Sequence, residues 1–442
     1  MDVLMVTAEL SPYVRATPAG DVVLALTKGL RQLGHRVTLA MPRYAAFEEH
    51  GLLLARRLTP LSVEGADVTV FDGQHSSGAE LALFDIPGLG APGALGAPEA
   101  DARQVDGFRL LGRAAAALVA QRRDQQPFDV VHAHDWPGGL VAASLASGPP
   151  VVLSVYHPRP APLASGLERA RIVVCPSPSY AATFSDAATS GALASTFAAL
   201  AEPVVGVTSG LDYATYNPAT DPALEARYDA EESDAKARTK GVVQRELRLE
   251  LDIARPLVLF AAPLDAEHGA DVVLEALTDL LRHPISIVVA ATAPGTLDAG
   301  FRAAAAEYPG SVAFVEARDA ALVRRLHAAA DLALVVPRDA PCELGQLVAQ
   351  RYGAIPVAYA AGTALDTVVD VDAALETGTG FLFDRPERIE LVGAVERALA
   401  GMATPDAWVR LRRRVMRLDL GWDRPARRYA QLYRRALEPV AS

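Results

Sequence analysis

The sequence predicts an α/β protein of two doubly wound, Rossmann-like parallel-sheet domains in tandem, and three observations predict it. The 442 residues are too many for one compact core. Short apolar runs of strand character alternate along the chain with stretches of helical periodicity. The composition is 51% hydrophobic but only 6% aromatic, the Ala-, Val- and Leu-rich mixture that buried parallel strands under Ala-rich helices require.

Residues 3–8 read as a short buried strand, a loop follows through Gly20, and 21–33 carry apolar residues at helical spacing up to a stop at Gly34. Strand 36–40, helix 107–121, strand 129–132, helix 138–146 and strand 150–156 continue the alternation, and further strand and helix pairs lie at 171–184 and 204–208. Residues 87–102, rich in Gly, Ala and Pro, read as a surface loop. The charged segment 229–250 has helical composition and separates this set from a second one that begins with a strand at 255–260. Helix 271–281, strand 285–290, helix 299–308, strand 312–316, helix 320–330, strand 332–336 and helix 343–352 follow. The expected organisation is a first domain over 1–228, a linker helix region over 229–254, a second domain over 255–418, and a C-terminal helix over 419–442 packing back on the first. Alternation of this kind implies right-handed crossovers, a cleft between the two halves, and ligands at the carboxyl ends of the strands.

A net charge of -11 argues against a nucleic-acid partner, and the arginines at 410, 412, 413, 414 and 417 read as a solvated helix face. The two cysteines, Cys175 and Cys342, have no metal or disulfide spacing, which fits a reducing cytoplasm. The chain opens directly on a strand pattern without a signal peptide's basic start and apolar core, and no apolar run is long enough to span a bilayer. No phosphate loop, H-E-x-x-H or G-x-S-x-G motif occurs, and His132-Ala133-His134-Asp135 is too compact for a zinc site, so no metal is expected.

Several ordered segments carry a resemblance. They include Val131-His132-Ala133-His134-Asp135-Trp136, Ser209-Gly210-Leu211-Asp212-Tyr213, and Pro341-Cys342 with Gln346. Arg351-Tyr352-Gly353, Gly378-Thr379-Gly380-Phe381 and Trp422-Asp423-Arg424 complete the set. Over nearly its whole length the chain resembles bacterial glycogen synthases and plant starch synthases, retaining glucosyltransferases of the GT-B fold. The resemblance implies glucosyl transfer from ADP-glucose or UDP-glucose to an α-1,4-glucan without a metal or other cofactor, with a nucleotide-sugar and an α-glucan as binding partners.

Residue by residue, the family's Lys-Thr-Gly-Gly loop reads Arg15-Ala16-Thr17-Pro18 here, with Gly20 and Asp21 retained. Arg15 keeps a charge, while Thr17 and Pro18 replace the glycines that permit close backbone approach. The resemblance places the family's diphosphate-clamping arginine and lysine at Pro263 and His268, and its sugar-contacting carboxylate at Ala340. Glu343 beside it reads either as a displaced carboxylate or as a first-turn helix residue. His157 reads either as the family's donor-side histidine shifted by one position or as an unrelated loop histidine, and Asp135 as the retained polar group at a strand end. Ser209 stands for an asparagine in a turn lining the family's cleft, and Gly362 and Thr363 fall in the family's Thr-Gly-Gly turn. The connection from His157 to Arg171 is shorter than the family's acceptor-side region. Three readings stay open: a divergent active glucosyltransferase, a non-catalytic scaffold that binds a glucan or a protein partner, and a GT-B enzyme with another donor or acceptor.

Overall fold

The computed structural model describes residues 1–15, 17–63, 65–90, 102–145, 147–338 and 344–439. Of the loop expected at 87–102, residues 91–101 lie outside the described ones. The chain forms two compact units, Met1–Gly210 with Trp422–Ser442, and Leu211–Gly421. Residues 229–254, expected as a linker, lie inside the second unit.

In the first unit the strands are β1 (Asp2–Val6), β2 (Arg36–Pro42), β3 (Ala55–Arg56), β4 (Leu61–Val63), β5 (Ala66–Val68) and β6 (Val70–Gln74). They continue with β7 (Glu80–Phe84), β8 (Val130–His134), β9 (Val151–Ser154), β10 (Ile172–Cys175) and β11 (Val205–Gly206). One sheet has the order β11-β10-β9-β8-β1-β2-β7-β6-β3, and β4 pairs with β5 separately. From β11 to β7 neighbours are parallel, and β6 and β3 extend the edge antiparallel. β1, β8 and β9 are buried along their whole length, as strands covered by helices on both faces must be. The order reverses between β1 and β8, the switch point at which such sheets present ligand sites.

Sequence reading missed the strands between 55 and 84. β3 to β5 are two or three residues long, and β6 has only Val70 and Phe71 before Asp72, Gly73 and Gln74, so no period persists long enough to register. The helix expected from 138 starts instead at Asp135, because Pro137 sits in its first turn, where the missing N–H costs nothing. Helix Asp423–Leu437 packs on helix Ala19–Gln32; a Cβ on Gly29 would lie 2.6 Å from that of Ala426, so only glycine admits the contact.

Beneath that helix two histidines are fully buried. His132 is bonded through Nδ1 to the Tyr433 hydroxyl (2.7 Å) and through Nε2 to Ser154 Oγ (2.8 Å), and His134 Nδ1 meets the Tyr156 hydroxyl (3.0 Å). Burial pushes the His134 pKa down to about 3, and burial with the adjacent His134 holds His132 well below its usual value. Both are neutral polar members of the core.

The second unit holds β12 (Leu257–Ala262), β13 (Ser286–Ala291), β14 (Val312–Glu316), β15 (Leu332–Val335), β16 (Ile355–Tyr359) and β17 (Phe381–Phe383). They form one parallel sheet in the order β14-β13-β12-β15-β16-β17, which reverses between β12 and β15. Helix Ala235–Glu246, shorter than the expected 229–250, packs on helix Ala320–Ala329 and buries two lysines. Lys236 Nζ donates to the carbonyls of Ala328 (2.8 Å), Tyr352 (3.1 Å) and His327 (3.3 Å). Lys240 Nζ lies 2.6 Å from Asp331 Oδ2, which also accepts the Leu257 amide at the start of β12. Segment 211–228 is anchored by Asp221, which takes Arg324 Nε (2.8 Å) and the Tyr352 hydroxyl.

Two outcomes follow from these buried groups. Lys240→Ala leaves the enclosed Asp331 charge with the Leu257 amide and with Arg412 at 3.6 Å, and should lower unfolding free energy in urea by about 3–5 kcal/mol. For His134, the unfolded chain takes up a proton near pH 6.5 while the folded one resists to about pH 3, so its contribution is complete above pH 7 and shrinks as pH falls. The stability advantage of the wild type over His134→Asn, measured by urea unfolding at each pH, should therefore contract by about 2 kcal/mol between pH 7 and pH 5.

Candidate functional site

At the switch point of the first unit, Asp135 follows β8 directly and takes a positive φ of 57°, a left-handed conformation that aspartate tolerates better than most residues. Its Oδ1 accepts the backbone amides of Tyr156 (3.1 Å) and His157 (2.9 Å), just past β9, and its Oδ2 meets His157 Nδ1 at 2.7 Å. One carboxylate thus fixes the chain after β9 and the orientation of the imidazole together. With Nδ1 engaged, His157 can turn Nε2 toward a ligand as a hydrogen-bonding or proton-transferring group.

Glu9, three residues beyond β1, joins this pair and is only 5% exposed. Its carboxylate accepts the Thr17 amide (2.6 Å) and the Thr17 hydroxyl (2.8 Å). Burial, with the Asp135 charge adding, raises its pKa to about 7 against the opposing pull of Thr17 and of His157. Tyr44 is buried close by and its phenol pKa is raised by burial and the Glu9 charge; its hydroxyl has no partner among the described residues. Sequence reading missed Glu9. The available signal was a carboxylate at the end of an apolar strand with no basic residue beside it.

The other expected residues of this unit lie in the loops around it. Arg15 Nη2 is ion-paired with Asp21 Oδ2 (2.7 Å), and Asp21 also accepts the Ser11 hydroxyl. Gly20 is needed for packing, because a Cβ there would lie 3.0 Å from the Val14 carbonyl oxygen. Ser209 is buried three residues beyond β11.

In the second unit, Pro263 follows β12. Asp265 Oδ1 binds both the His268 amide (3.0 Å) and its Nδ1 (2.7 Å), so the imidazole is tied to its own loop. Gly269 has φ of 74°, and a Cβ there would fall 2.1 Å from the Val336 carbonyl oxygen, which lets the loops after β12 and β15 close on each other. Arg338 seals them, its amide donating to Glu267 O (2.8 Å) and its guanidinium reaching Ala266 O (2.9 Å) and Asp271 Oδ1 (2.6 Å). The cavity lined by Ala262, His268, His327 and Val336 is about 20 Å³, room for about one water. Gly362, with φ of 48°, and buried Thr363 open helix Gly362–Thr367 after β16. Ala340 and Glu343 lie outside the described residues.

The structure therefore brings Asp135 and His157 into contact and adds Glu9, while Arg15, Gly20 and Asp21 form a self-bonded loop of the same unit. His268 and Thr363 belong to the other unit. Among the described residues no group of three or more His, Cys, Asp or Glu could hold a metal ion, and no helix is long and apolar enough to cross a membrane.

A sequence profile of the starch synthase catalytic domain matches residues 2–159. A glycogen synthase from Burkholderia thailandensis is 34% identical over 97% of this chain and 90% of its own length. The chain belongs to the glycogen synthase family. A glycogen synthase from Anaeromyxobacter sp., similar to this family member over its entire length and 99% of this chain, is 32% identical. The catalytic domain of Starch Synthase IV from Arabidopsis thaliana, solved bound to ADP and acarbose, matches with a TM-score of 0.88 at 24% identity over 99% of each chain. Sucrose-phosphate synthase from Thermosynechococcus elongatus shares the fold at a TM-score of 0.65. The GT-B class expected from the sequence is thus the fold of this glycogen synthase-family chain.

Asp135 gives the sharpest test of the site's construction. Asp135→Ala removes the acceptor of two backbone amides and places alanine at positive φ, which should lower the melting free energy by about 2–4 kcal/mol. Asp135→Asn keeps an acceptor and tolerates the backbone, so thermal unfolding should show a loss of about 1 kcal/mol.

Proposed function

We propose that this chain is a glycogen synthase-family glycosyltransferase homologue whose donor side is no longer built for efficient turnover. Glucosyl transfer from ADP-glucose or UDP-glucose to an α-1,4-glucan is weak or lost, and the scaffold acts by binding a glucan or a protein partner. The observation supporting this reading is the loop after β12, where Pro263 offers neither charge nor N–H and His268 is held by Asp265. A leaving nucleotide diphosphate needs cations or preorganised N–H donors. The loop instead carries Asp265 and Glu267, with Asp271 in the following helix turn. Each missing charge-assisted bond is worth about 1.5–3 kcal/mol, so two together correspond to roughly a thousandfold in rate or more.

A second reading is favoured by the Glu9, Asp135 and His157 cluster, which keeps two carboxylates and an imidazole together at the first switch point: a glycosyltransferase with a different donor or acceptor. Both readings carry no metal and a cytoplasmic setting.

Labelled glucose transfer from ADP-glucose and UDP-glucose to glycogen should run about a thousandfold or more below an authentic synthase, and chelation should not change it. The triple substitution Pro263→Arg, His268→Lys and Ala340→Glu should tighten ADP binding about tenfold or more while turnover stays weak, since the 157–171 connection remains short. Synthase-level transfer by the unmodified chain would overturn the reading. Transfer from another nucleotide-sugar would establish the second one.

A further inference from the structure

We propose that Thr17 is a built-in occupant of the Glu9 carboxylate, a latch that must open before a hydroxyl-bearing ligand such as a sugar can bond to that carboxylate. The inference rests on reading the switch-point cluster of the first unit as a ligand-binding side. Both Glu9 oxygens are engaged by one residue, Oε2 by the Thr17 amide (2.6 Å) and Oε1 by the Thr17 hydroxyl (2.8 Å). A sugar hydroxyl offers a carboxylate the same donor, so the threonine takes the place such a group would fill. The Thr17 oxygen also accepts the Ala19 amide (3.1 Å), so the latch is continuous with the start of helix Ala19–Gln32, which its Pro18 N-cap leaves without a side-chain cap. Position 17 is glycine in the family's loop pattern, and glycine cannot make the hydroxyl bond. The latch is therefore written into this chain by a substitution.

The groups facing Glu9 allow the latch to respond to protons. Asp135 after β8 repels its charge, His157 after β9 stabilises it, Tyr44 after β2 stands close without a partner for its hydroxyl among the described residues, and Thr17 binds from the loop before the helix. An ionised Glu9 accepts both Thr17 donors with charge assistance; a protonated one surrenders an acceptor position to its own hydrogen. Because burial holds the group near pH 7, the latch tightens above neutrality and loosens below it.

The test uses the full chain with two readouts. In calorimetric titration with maltotriose, Thr17→Val and Thr17→Gly should bind about tenfold or more tightly than the wild type, whereas Thr17→Ser, which keeps the hydroxyl, should match it. In hydrogen exchange, corrected for intrinsic rates, protection of the Thr17 amide should rise with pH through neutrality in the wild type. Glu9→Gln, which keeps one acceptor oxygen but cannot ionise, should lose the pH dependence and part of the protection. Circular dichroism identifies any variant that fails to fold; the valine and glycine variants perturb the backbone in opposite directions and serve as checks on each other. Equal maltotriose affinity in wild type, Val and Gly variants, no binding by any of them, or unchanged Thr17 exchange in Glu9→Gln would each overturn the latch. The weak-transfer reading stands or falls separately, on turnover by the wild type.

Discussion

A parallel sheet whose strand order reverses leaves two neighbouring strands whose following connections depart in opposite directions, and the space between those connections must be lined by whatever residues end the strands. Both sheets of this chain obey the constraint, at β1 and β8 in the first unit and at β12 and β15 in the second. The first switch point is filled by Glu9 and Asp135, and Asp135 in turn holds the chain after β9 through two amides and the His157 ring. The second is closed by backbone contact at Gly269 and by the Arg338 bonds to Glu267, Ala266 and Asp271. The same topology thus carries a polar, titratable cluster in one unit and a close approach of two loops in the other.

Much of this was legible in the sequence, because fully buried parallel strands are uninterrupted apolar runs and the helices between them carry long 3.6-residue patterns. The central strands and most of the helices follow that logic. The strands from 55 to 74 did not, since short antiparallel pairs at a sheet margin need little apolar sequence and are specified by their neighbours. The partition of the chain was harder still. Residues 229–254 read as a charged linker and 211–228 as part of the first domain, yet Asp221, Lys236 and Lys240 bind these segments to the second unit through Arg324, Asp331 and backbone carbonyls. Buried charge of that kind is invisible in a hydrophobic pattern, because it depends on partners roughly a hundred residues away.

For the site, motif reading located Asp135 and His157 but not their relation, which follows from β8 and β9 being adjacent and from a left-handed backbone at Asp135 that no motif encodes. Glu9 was hidden by its simplicity as one carboxylate after a strand. Its importance comes from burial and from company, and both are tertiary properties. Arg15 illustrates the converse case. The resemblance marks it as a donor-side residue at the family's lysine position, and in the structure its guanidinium is ion-paired with Asp21 of its own loop.

The two switch points differ from the family pattern by one kind of change. On the reading proposed above, which takes the family's loop patterns from the sequence resemblance, each puts a self-bonded residue at a ligand-facing position: Thr17 bonds Glu9 at a glycine position, and His268 bonds Asp265 at a lysine position. Neither replacement needs to damage the fold, because each new polar group finds a partner inside its own unit. Family membership and strong fold similarity are therefore compatible with a changed chemistry. Stability selects for satisfied hydrogen bonds without regard to whether the partner is a substrate or the chain itself.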